Sequence, residues 1–376
     1  MTRPYWLDEP APPLPRRDFS GRADVAVVGG GITGCSCALS LARAGARVRL
    51  YEARELASGA SGRNGGFALR GGAAPYDVTL ESIGREPARR LWELTESALD
   101  RLETLAGDSL RRVGSLRLAA DEDERDALRI EFEALQADGF AAEWLDDLEP
   151  PLRGRFTGAI FHPPDAVLHP ARLVRRIAAA AADAGADLHE HHRVDAVDDL
   201  GAGTVVVATD GYPSGLLGAI EGLIVPTRGQ MIATEPLPEL LFEVPHYGRH
   251  GFDYWHQRPD GSLLAGGFRD ASLADEFTTD ESTTPVIQSA LEAFVEQLVG
   301  FRPRVTHRWA GIFGLVLDFL PVVGRLPDSD RVWVAGGYSG HGNVLGFLCG
   351  ELVADGVLGR PAPELPLFDP ARLLAG

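Results

Sequence analysis

The sequence predicts an α/β protein of two domains, one built on a mostly parallel nucleotide-binding sheet and the other an α+β domain built on an antiparallel sheet. Three observations predict it. A short apolar run, Ala23-Asp24-Val25-Ala26-Val27-Val28, leads straight into Gly29-Gly30-Gly31-Ile32-Thr33-Gly34, the strand, glycine turn and helix start of a β-α-β unit. Two more buried-strand runs, 203–208 and 331–335, each end in a glycine-bearing turn far along the chain, so the first domain is assembled from separated segments. Between them, stretches of 226–320 alternate like the half-buried strands of an antiparallel sheet. The expected division is a discontinuous, Rossmann-like domain from 1–80, 145–225 and 325–376, with a substrate or cap domain from 81–144 and 226–324.

Each element follows from a local pattern. The first twenty residues carry Pro10, Pro12, Pro13 and Pro15 and read as an extended lead-in. From Ile32 the spacing is helical, with Cys35, Leu39 and Ala42 on one face and Gly45 as the stop. Residues 46–51 form the second strand, closed by Glu52. Leu91, Leu94, Ala98, Leu102 and Leu105 mark an amphipathic helix over 86–105, and Leu128, Phe132 and Leu135 mark another over 121–137, stopped by Gly139. A further helix follows His169-Pro170, with proline at a tolerated first-turn position and Gly185 at its end. The strand at 203–208 stops at Thr209-Asp210-Gly211. Strand-like alternation then runs through 230–234, 251–256 and 262–267, a helix spans 285–299, and the run Gly336 to Gly342 opens a last helix. No internal repeat is present, and the proline-bearing tail from Arg360 is expected on the surface.

Bulk properties exclude several classes. Acidic residues outnumber basic ones 54 to 36, a net charge of −18, which repels nucleic acid and anionic lipid. No apolar run reaches the roughly 18–20 residues that span a bilayer, and the N-terminal residues lack the apolar stretch of a secretory signal, so the expected location is cytoplasmic. All the basic residues are arginine; the chain contains no lysine. Lysine Schiff-base chemistry and a P-loop lysine are excluded together. Cys35, Cys37 and Cys349 read as small buried hydrophobes. The cluster His189-Glu190-His191-His192 reads as a solvated strand end, and no metal site is expected.

Three glycine-dense stretches carry chemistry. Gly29, Gly31 and Gly34 let backbone N–H groups at a helix start approach a pyrophosphate and let that helix lie close on the sheet. Glu52 ends the next strand near the expected ribose hydroxyls and disfavours a 2′-phosphate; Ala53 and Arg54 follow it. The second stretch, from Ala57 to Gly66, includes Ala60, Ser61, Arg63, Asn64, Gly65 and Gly66. A loop so poor in side chains can run along an extended cofactor, which favours FAD over a nicotinamide dinucleotide. The third is the run from Gly336 to Gly342, with Gly337, Tyr338, Gly340, His341 and Gly342, then Asn343 beyond it. It opens a helix whose N-terminus would favour the negative charge of a reduced flavin.

These segments resemble the D-amino-acid oxidase superfamily of flavoproteins, the branch with glycine, sarcosine and γ-glutamylputrescine oxidases. The resemblance rests on residues 27–34, Ser61-Gly62-Arg63-Asn64-Gly65-Gly66, Ala208-Thr209-Asp210-Gly211, Arg228-Gly229-Gln230 and Gly337-Tyr338-Ser339-Gly340-His341-Gly342. The Arg-Asn-Gly-Gly loop, the Tyr-Ser-Gly-His-Gly ending and the Tyr5-Trp6 lead-in look most like the γ-glutamylputrescine oxidase branch. It implies noncovalent FAD, with Val194, Ala208, Thr209 and Arg228 added to the cofactor contacts. It also implies hydride transfer from the carbon beside nitrogen to flavin N5, giving an imine that hydrolyses, with oxygen as acceptor.

That chemistry needs a neutral amine, a well-placed C–H and little water. Tyr254, His256, Trp309, Phe313 and His341 are the candidate pocket residues, although Trp309 and Phe313, four apart, equally suit a core. Two departures from the family stand out. Where amino-acid-oxidising relatives carry an arginine after Trp-Ala-Gly, this chain has Ile312-Phe313-Gly314, which favours an amine without an adjacent carboxylate unless Arg228, Arg258 or Arg269 substitutes. The lysine that assists oxygen reduction in several such oxidases is missing. An amino-acid dehydrogenase serving a quinone or protein acceptor, and a flavin-binding subunit without activity of its own, are therefore competing expectations. No motif speaks to oligomeric state.

Overall fold

The structure is a computed structural model and describes residues 4–14, 19 and 21–374; Met1 to Arg3, and Pro15 of the proline-rich lead-in, lie outside the described residues. Its first layer is a six-stranded sheet in the order Val322–Arg325, Val332–Gly336, Thr204–Val207, Val25–Val28, Val48–Tyr51, Asp187–His189. All neighbours are parallel except the edge pair Val322–Arg325 and Val332–Gly336. Val25–Val28 lies centrally, in register with Thr204 on one side and Val48 on the other. Its side chains alternate between two cores: Val25 and Val27 join one, Ala26 and Val28 the other. Both faces are covered, which is why the strand reads as an unbroken apolar run.

Helices Ile32–Arg43, Pro170–Asp183 and Gly342–Val357 bury one face of this sheet. The first and last pack unusually close. A Cβ on Gly350 would lie 2.5 Å from the Thr33 carbonyl oxygen and one on Gly346 2.9 Å from Thr33 Oγ1, so both glycines serve the helix crossing.

The second layer is an eight-stranded sheet in the order Val305–Leu315, Val225–Pro236, Ser262–Gly267, Asp253–Gln257, His246–Gly248, Ser115–Ala119, Gly158–His162, Glu143–Leu145. Only His246–Gly248 and Ser115–Ala119 pair parallel. Two placements differ from the sequence expectation. Gly158–His162 hydrogen-bonds into this large sheet, although 145–225 was expected with the nucleotide sheet. Helix Arg85–Ala106 packs on Gly342–Val357 and Pro170–Asp183, reinforced by an ion pair of Arg101 with Glu351 at 2.6 Å. The physical reason is the same for both. Periodicity tells which stripe of an element is buried, and of the expected stripe Leu91, Ala98 and Leu102 are buried and Leu94 and Leu105 half-buried; it carries nothing about which layer buries them.

The lead-in is not a loose arm. Tyr5–Leu7 forms a short helical turn whose Trp6 is fully buried, donates from Nε1 to the Asn64 carbonyl at 2.8 Å and stacks on His256. No helix among the described residues is long and apolar enough to cross a membrane.

Candidate active site

The turns of the six-stranded sheet face the inner strands of the large sheet across one continuous cavity of about 890 Å³. At the nucleotide end, Gly29 has φ +112° and a Cβ there would lie 2.4 Å from the Ala208 carbonyl oxygen; a Cβ on Gly34 would lie 1.9 Å from the Gly29 carbonyl oxygen. Glu52 Oε2 accepts from Gly30 N at 2.7 Å and Oε1 from Arg54 N at 2.8 Å, so the carboxylate is fixed against the turn. Gly31 precedes the helix and has no side chain to cap it. Ser61 Oγ, from the second glycine-dense stretch, accepts from Ile32 N instead, at 3.0 Å.

Further bonds draw the stretches together. Thr33 Oγ1 and Tyr338 Oη lie 2.8 Å apart. Asn64 and Asn343 exchange side-chain hydrogen bonds at 3.1 and 3.0 Å. Asp210 accepts from Gly337 N at 2.8 Å and from Gly314 N at 3.0 Å, and burial holds its carboxyl above the usual range, against the pull of those N–H groups.

The helix starts at Ile32 and Gly342 both line the cavity, and Thr209 Oγ1, on the same wall, is buried without a hydrogen-bond partner. Two helix N-termini, a glycine cradle, a carboxylate and an unsatisfied hydroxyl fit an extended dinucleotide carrying a flavin.

Most of the expected cofactor residues line this cavity: Gly29, Gly31, Ile32 and Thr33; Glu52, Ala53 and Arg54; Ala60, Ser61, Arg63, Asn64 and Gly65; Val194, Ala208 and Thr209; and Tyr338, Gly340, His341, Gly342 and Asn343. Gly34 does not line the cavity; it lies in the first turn of the helix on the side facing the Gly29 carbonyl, where a closely packing glycine was expected. Three others do not reach the cavity. Arg228 is 4% exposed and bound to Glu276 at 2.7 Å; its strand neighbour Gly229 lines the wall instead, since adjacent strand residues point oppositely. Gly66, at φ +77°, packs under Trp6 and the Leu168 carbonyl, and Gly337, at φ +75°, packs under Val316 and Val322. Both shape turns behind the wall.

Among the pocket candidates, Tyr254, Phe313 and His341 line the cavity, and Trp309 and His256 do not. Trp309 is fully buried, with Nε1 donating to the Arg63 carbonyl at 2.8 Å, so it supports the cofactor loop from behind. His256 shares the strand face of Tyr254 but lies farther along, stacked on Trp6 and edge-on to Phe67. Burial pushes Tyr254 up to about 12 and His341 down to about 4; both are neutral at neutral pH.

Tyr247, Phe67, Tyr212 and Glu281 also line the cavity and were missed. Glu281 bonds Arg54 at 2.9 Å, Tyr212 at 2.6 Å and Arg63 at 3.2 Å, but nothing in its local sequence distinguishes it from other loop acids. The His189 to His192 segment lies beside the nucleotide end: His189 and His192 pack on Tyr51, and Glu190 accepts from Leu56 N at 2.7 Å.

His256 gives a pH prediction. Burial, aided by the Arg258 charge, pushes its pKa down to about 3. The neutral form is thus favoured on folding, and its contribution is full above the unfolded value near 6.5 and declines as pH falls from there toward 3. His256→Phe, which keeps the ring stack, should gain on the wild type by up to about 1.4 kcal/mol per pH unit below 6.5. Thermal unfolding at pH 7.5 and 5 checks it; an unchanged difference between the two proteins refutes it.

Comparison with known proteins bears on the same residues. Residues 24–356 match the family model described as FAD dependent oxidoreductase, DAO. The chain belongs to the DAO family. It is 31% identical over 392 residues to the "Probable oxidoreductase OrdL" of Rhizobium meliloti (strain 1021), covering 97% of this chain and 89% of that one. It is also 31% identical to the γ-glutamylputrescine oxidoreductase of Escherichia coli (strain K12), over 88% of this chain and 83% of that one. The crystal structure of glycine oxidase from Geobacillus kaustophilus superposes with a TM-score of 0.77 at 25% identity, covering 93% and 98%. This DAO-family chain is an FAD-dependent oxidoreductase, and its glycine turns, Glu52 and Thr209 fit that cofactor.

Proposed function

We propose that this chain oxidises a C–N bond of a small amine or amino acid, using noncovalently held FAD and passing electrons to oxygen. The observation that carries the reading is the continuity of the cavity from the Gly29–Gly31 turn to a pocket walled by Tyr254, Phe313 and Phe67. Glycine oxidase and γ-glutamylputrescine oxidoreductase, to which the chain is similar, support a C–N substrate by their names. When bound, FAD supplies a hydride acceptor at N5, and the imine so formed hydrolyses in water.

The residues that would hold the cofactor are the turn 29–33, Glu52, the loop 60–65, Thr209 and the helix start at 340–343. Noncovalent attachment is favoured because the three cysteines are fully buried outside the cavity, with thiols pushed up by burial. Around the reacting carbon, the aromatic rings of Tyr254, Phe313 and Phe67 would exclude water and restrict the pose. Tyr254 and His341, neutral at neutral pH, add no charge of their own to that wall, so the proton that an ammonium substrate must lose before hydride transfer passes to solvent.

The lack of any lysine supports a second reading, a dehydrogenase serving a quinone or protein acceptor. One experiment tests both. Anaerobic addition of amines, amino acids, polyamines and their glutamylated forms should bleach the oxidised-flavin absorbance, and mixing with air-saturated buffer should restore it within seconds. Bleaching with sluggish recovery excludes the oxidase form; no bleaching by any of them overturns C–N oxidation.

A further inference from the structure

Two tryptophans hold consecutive carbonyls of the loop 60–66. Trp309 Nε1 donates to the Arg63 carbonyl and Trp6 Nε1 to the Asn64 carbonyl, each at 2.8 Å. Both indoles are fully buried and neither lines the cavity, whereas Asn64 and Gly65 do. The peptides 63–64 and 64–65 are trans, and a trans peptide carries its N–H opposite its C=O. With the two oxygens drawn to the indoles behind the wall, the N–H groups of Asn64 and Gly65 are turned to the cavity side. Among the described residues neither N–H has a protein acceptor.

The loop does not keep this setting by itself. Gly65 and Gly66 follow Asn64, Gly66 at φ +77°, and glycine takes either sign of φ readily. The peptide 64–65 is therefore free to turn over unless something holds its oxygen. Trp6 is that hold, and its ring is fixed on three sides: parallel to His256 at 5.9 Å, against His169 at 4.9 Å and under the Arg258 guanidinium at 5.2 Å. The residues beside it tie the lead-in down, Tyr5 Oη donating to Asp260 at 3.2 Å and Glu9 bonding Arg172 at 2.6 Å. Core packing alone asks only for a large apolar ring at position 6. A donor aimed at one carbonyl of the cavity loop asks for an indole.

We infer that Trp6, together with Trp309, is a positioning residue for the flavin: the two indole donors keep the Asn64 and Gly65 N–H groups turned to the cavity, where they favour the negative charge of reduced flavin and raise its reduction potential. This role requires bound FAD but no particular substrate, so it goes beyond the C–N reading and does not depend on it. Loss of the Trp6 donor leaves the Asn64 carbonyl buried and unpaired, and turning the peptide over relieves that. The same turn carries the Gly65 N–H away from the cavity and brings a carbonyl oxygen, with its partial negative charge, in its place. Neutral oxidised flavin loses less from the exchange than the reduced form does.

The test is the midpoint potential of flavin-loaded protein, read at equilibrium with a redox dye during anaerobic reduction. Trp6→Phe keeps a buried ring but no donor. Its preference for reduced over oxidised flavin should fall about 10–100-fold, the range of one hydrogen bond to a charged group, which lowers a two-electron potential by about 30–60 mV. Trp309→Phe should shift it in the same direction. Tyr5→Phe, which removes the Asp260 bond from the same segment, should leave it unchanged. A Trp6→Phe protein that melts lower but keeps the parent potential overturns the role, because lost core packing alone does that. An equal shift in Tyr5→Phe also overturns it, since any loosening of the lead-in would then suffice. Should Trp6→Phe fail to fold, Trp309→Phe decides, and an unchanged potential there overturns the inference. The dye titration uses no amine, so its result stands whether or not any amine bleaches the flavin.

Discussion

Gly34→Ala should purify without flavin and melt at least about 5 °C below the parent. A Cβ at this position would lie 1.9 Å from the Gly29 carbonyl oxygen and 3.1 Å from its carbon, and a backbone carbonyl cannot rotate out of the way as a side chain could. Relief requires the helix Ile32–Arg43 to lift from the strand end. That helix is held on its other side by Gly350 and by Ser36 Oγ, which donates to the Phe347 carbonyl at 2.8 Å. Overpacking in a rigid core costs about 1–3 kcal/mol, and more where nothing can yield. The same shift withdraws Ile32 N from Ser61 Oγ and tilts the helix start away from the cavity, so cofactor affinity should fall with stability. Gly45→Ala is the control. Gly45 has positive φ, +86°, and a Cβ there meets nothing within 4 Å, so only backbone strain of about 1–2 kcal/mol is expected and flavin should be retained. The ratio of flavin to protein absorbance and a thermal melt of each variant decide it; a fully yellow Gly34→Ala with an unchanged melting temperature would show that the turn is not as tightly packed as the structure has it.

That turn was readable without coordinates because its spacing is local. Glycine at 29, 31 and 34 marks one strand, turn and helix, and Gly34 answers to the Gly29 carbonyl within it, although the Ala208 carbonyl and Ser61 Oγ that crowd Gly29 and Gly31 come from distant segments; Glu52 follows from the next strand. The helix Pro285–Val299 was legible for the same reason, through its first-turn proline and the glycine that follows it. What could not be read was which layer each element joins. Gly158–His162 is short and apolar like the strands of the other sheet, and its pairing with Ser115–Ala119 rests on contacts distant in sequence.

Side-chain direction was the second gap. Trp309 and Phe313 occupy the same strand four residues apart, yet a strand that passes along a cavity edge presents one to the core and the other to the pocket. The motif residues around Arg228 raised the opposite difficulty. Arg228-Gly229-Gln230 marks a position that matters to the site, and the charged side chain there works on the reverse face.

The reverse face sets the largest stability effect expected of a single truncation. Arg228 and Glu276 are 4% and 1% exposed in their side chains, and the carboxylate takes Arg228 Nη2 at 2.7 Å, Nε at 2.9 Å and Gln230 Nε2 at 3.0 Å. Gln230 Oε1 in turn accepts from Thr284 N at 2.9 Å, and Arg228 Nη1 donates to the Asp280 and Ser282 carbonyls. Side chains on one strand thus hold down the segment 275–284. That segment contributes Thr279 to Ser282 to the cavity wall, including the Glu281 that neutralises Arg54 and Arg63. Glu276→Ala leaves a guanidinium buried without its counter-ion and should cost about 3–5 kcal/mol, read as a shifted denaturant midpoint. It should also loosen flavin, because the segment that carries Glu281 loses its anchor. The double variant Arg228→Met, Glu276→Leu removes both charges and fills the space, and should recover most of the stability while leaving flavin binding weakened, since the bonds to Asp280 and Ser282 are gone. Stability and cofactor affinity would then part company in one pair of proteins. Recovery of both together would mean that the ion pair matters only as packing and that the segment is held by something other than Arg228.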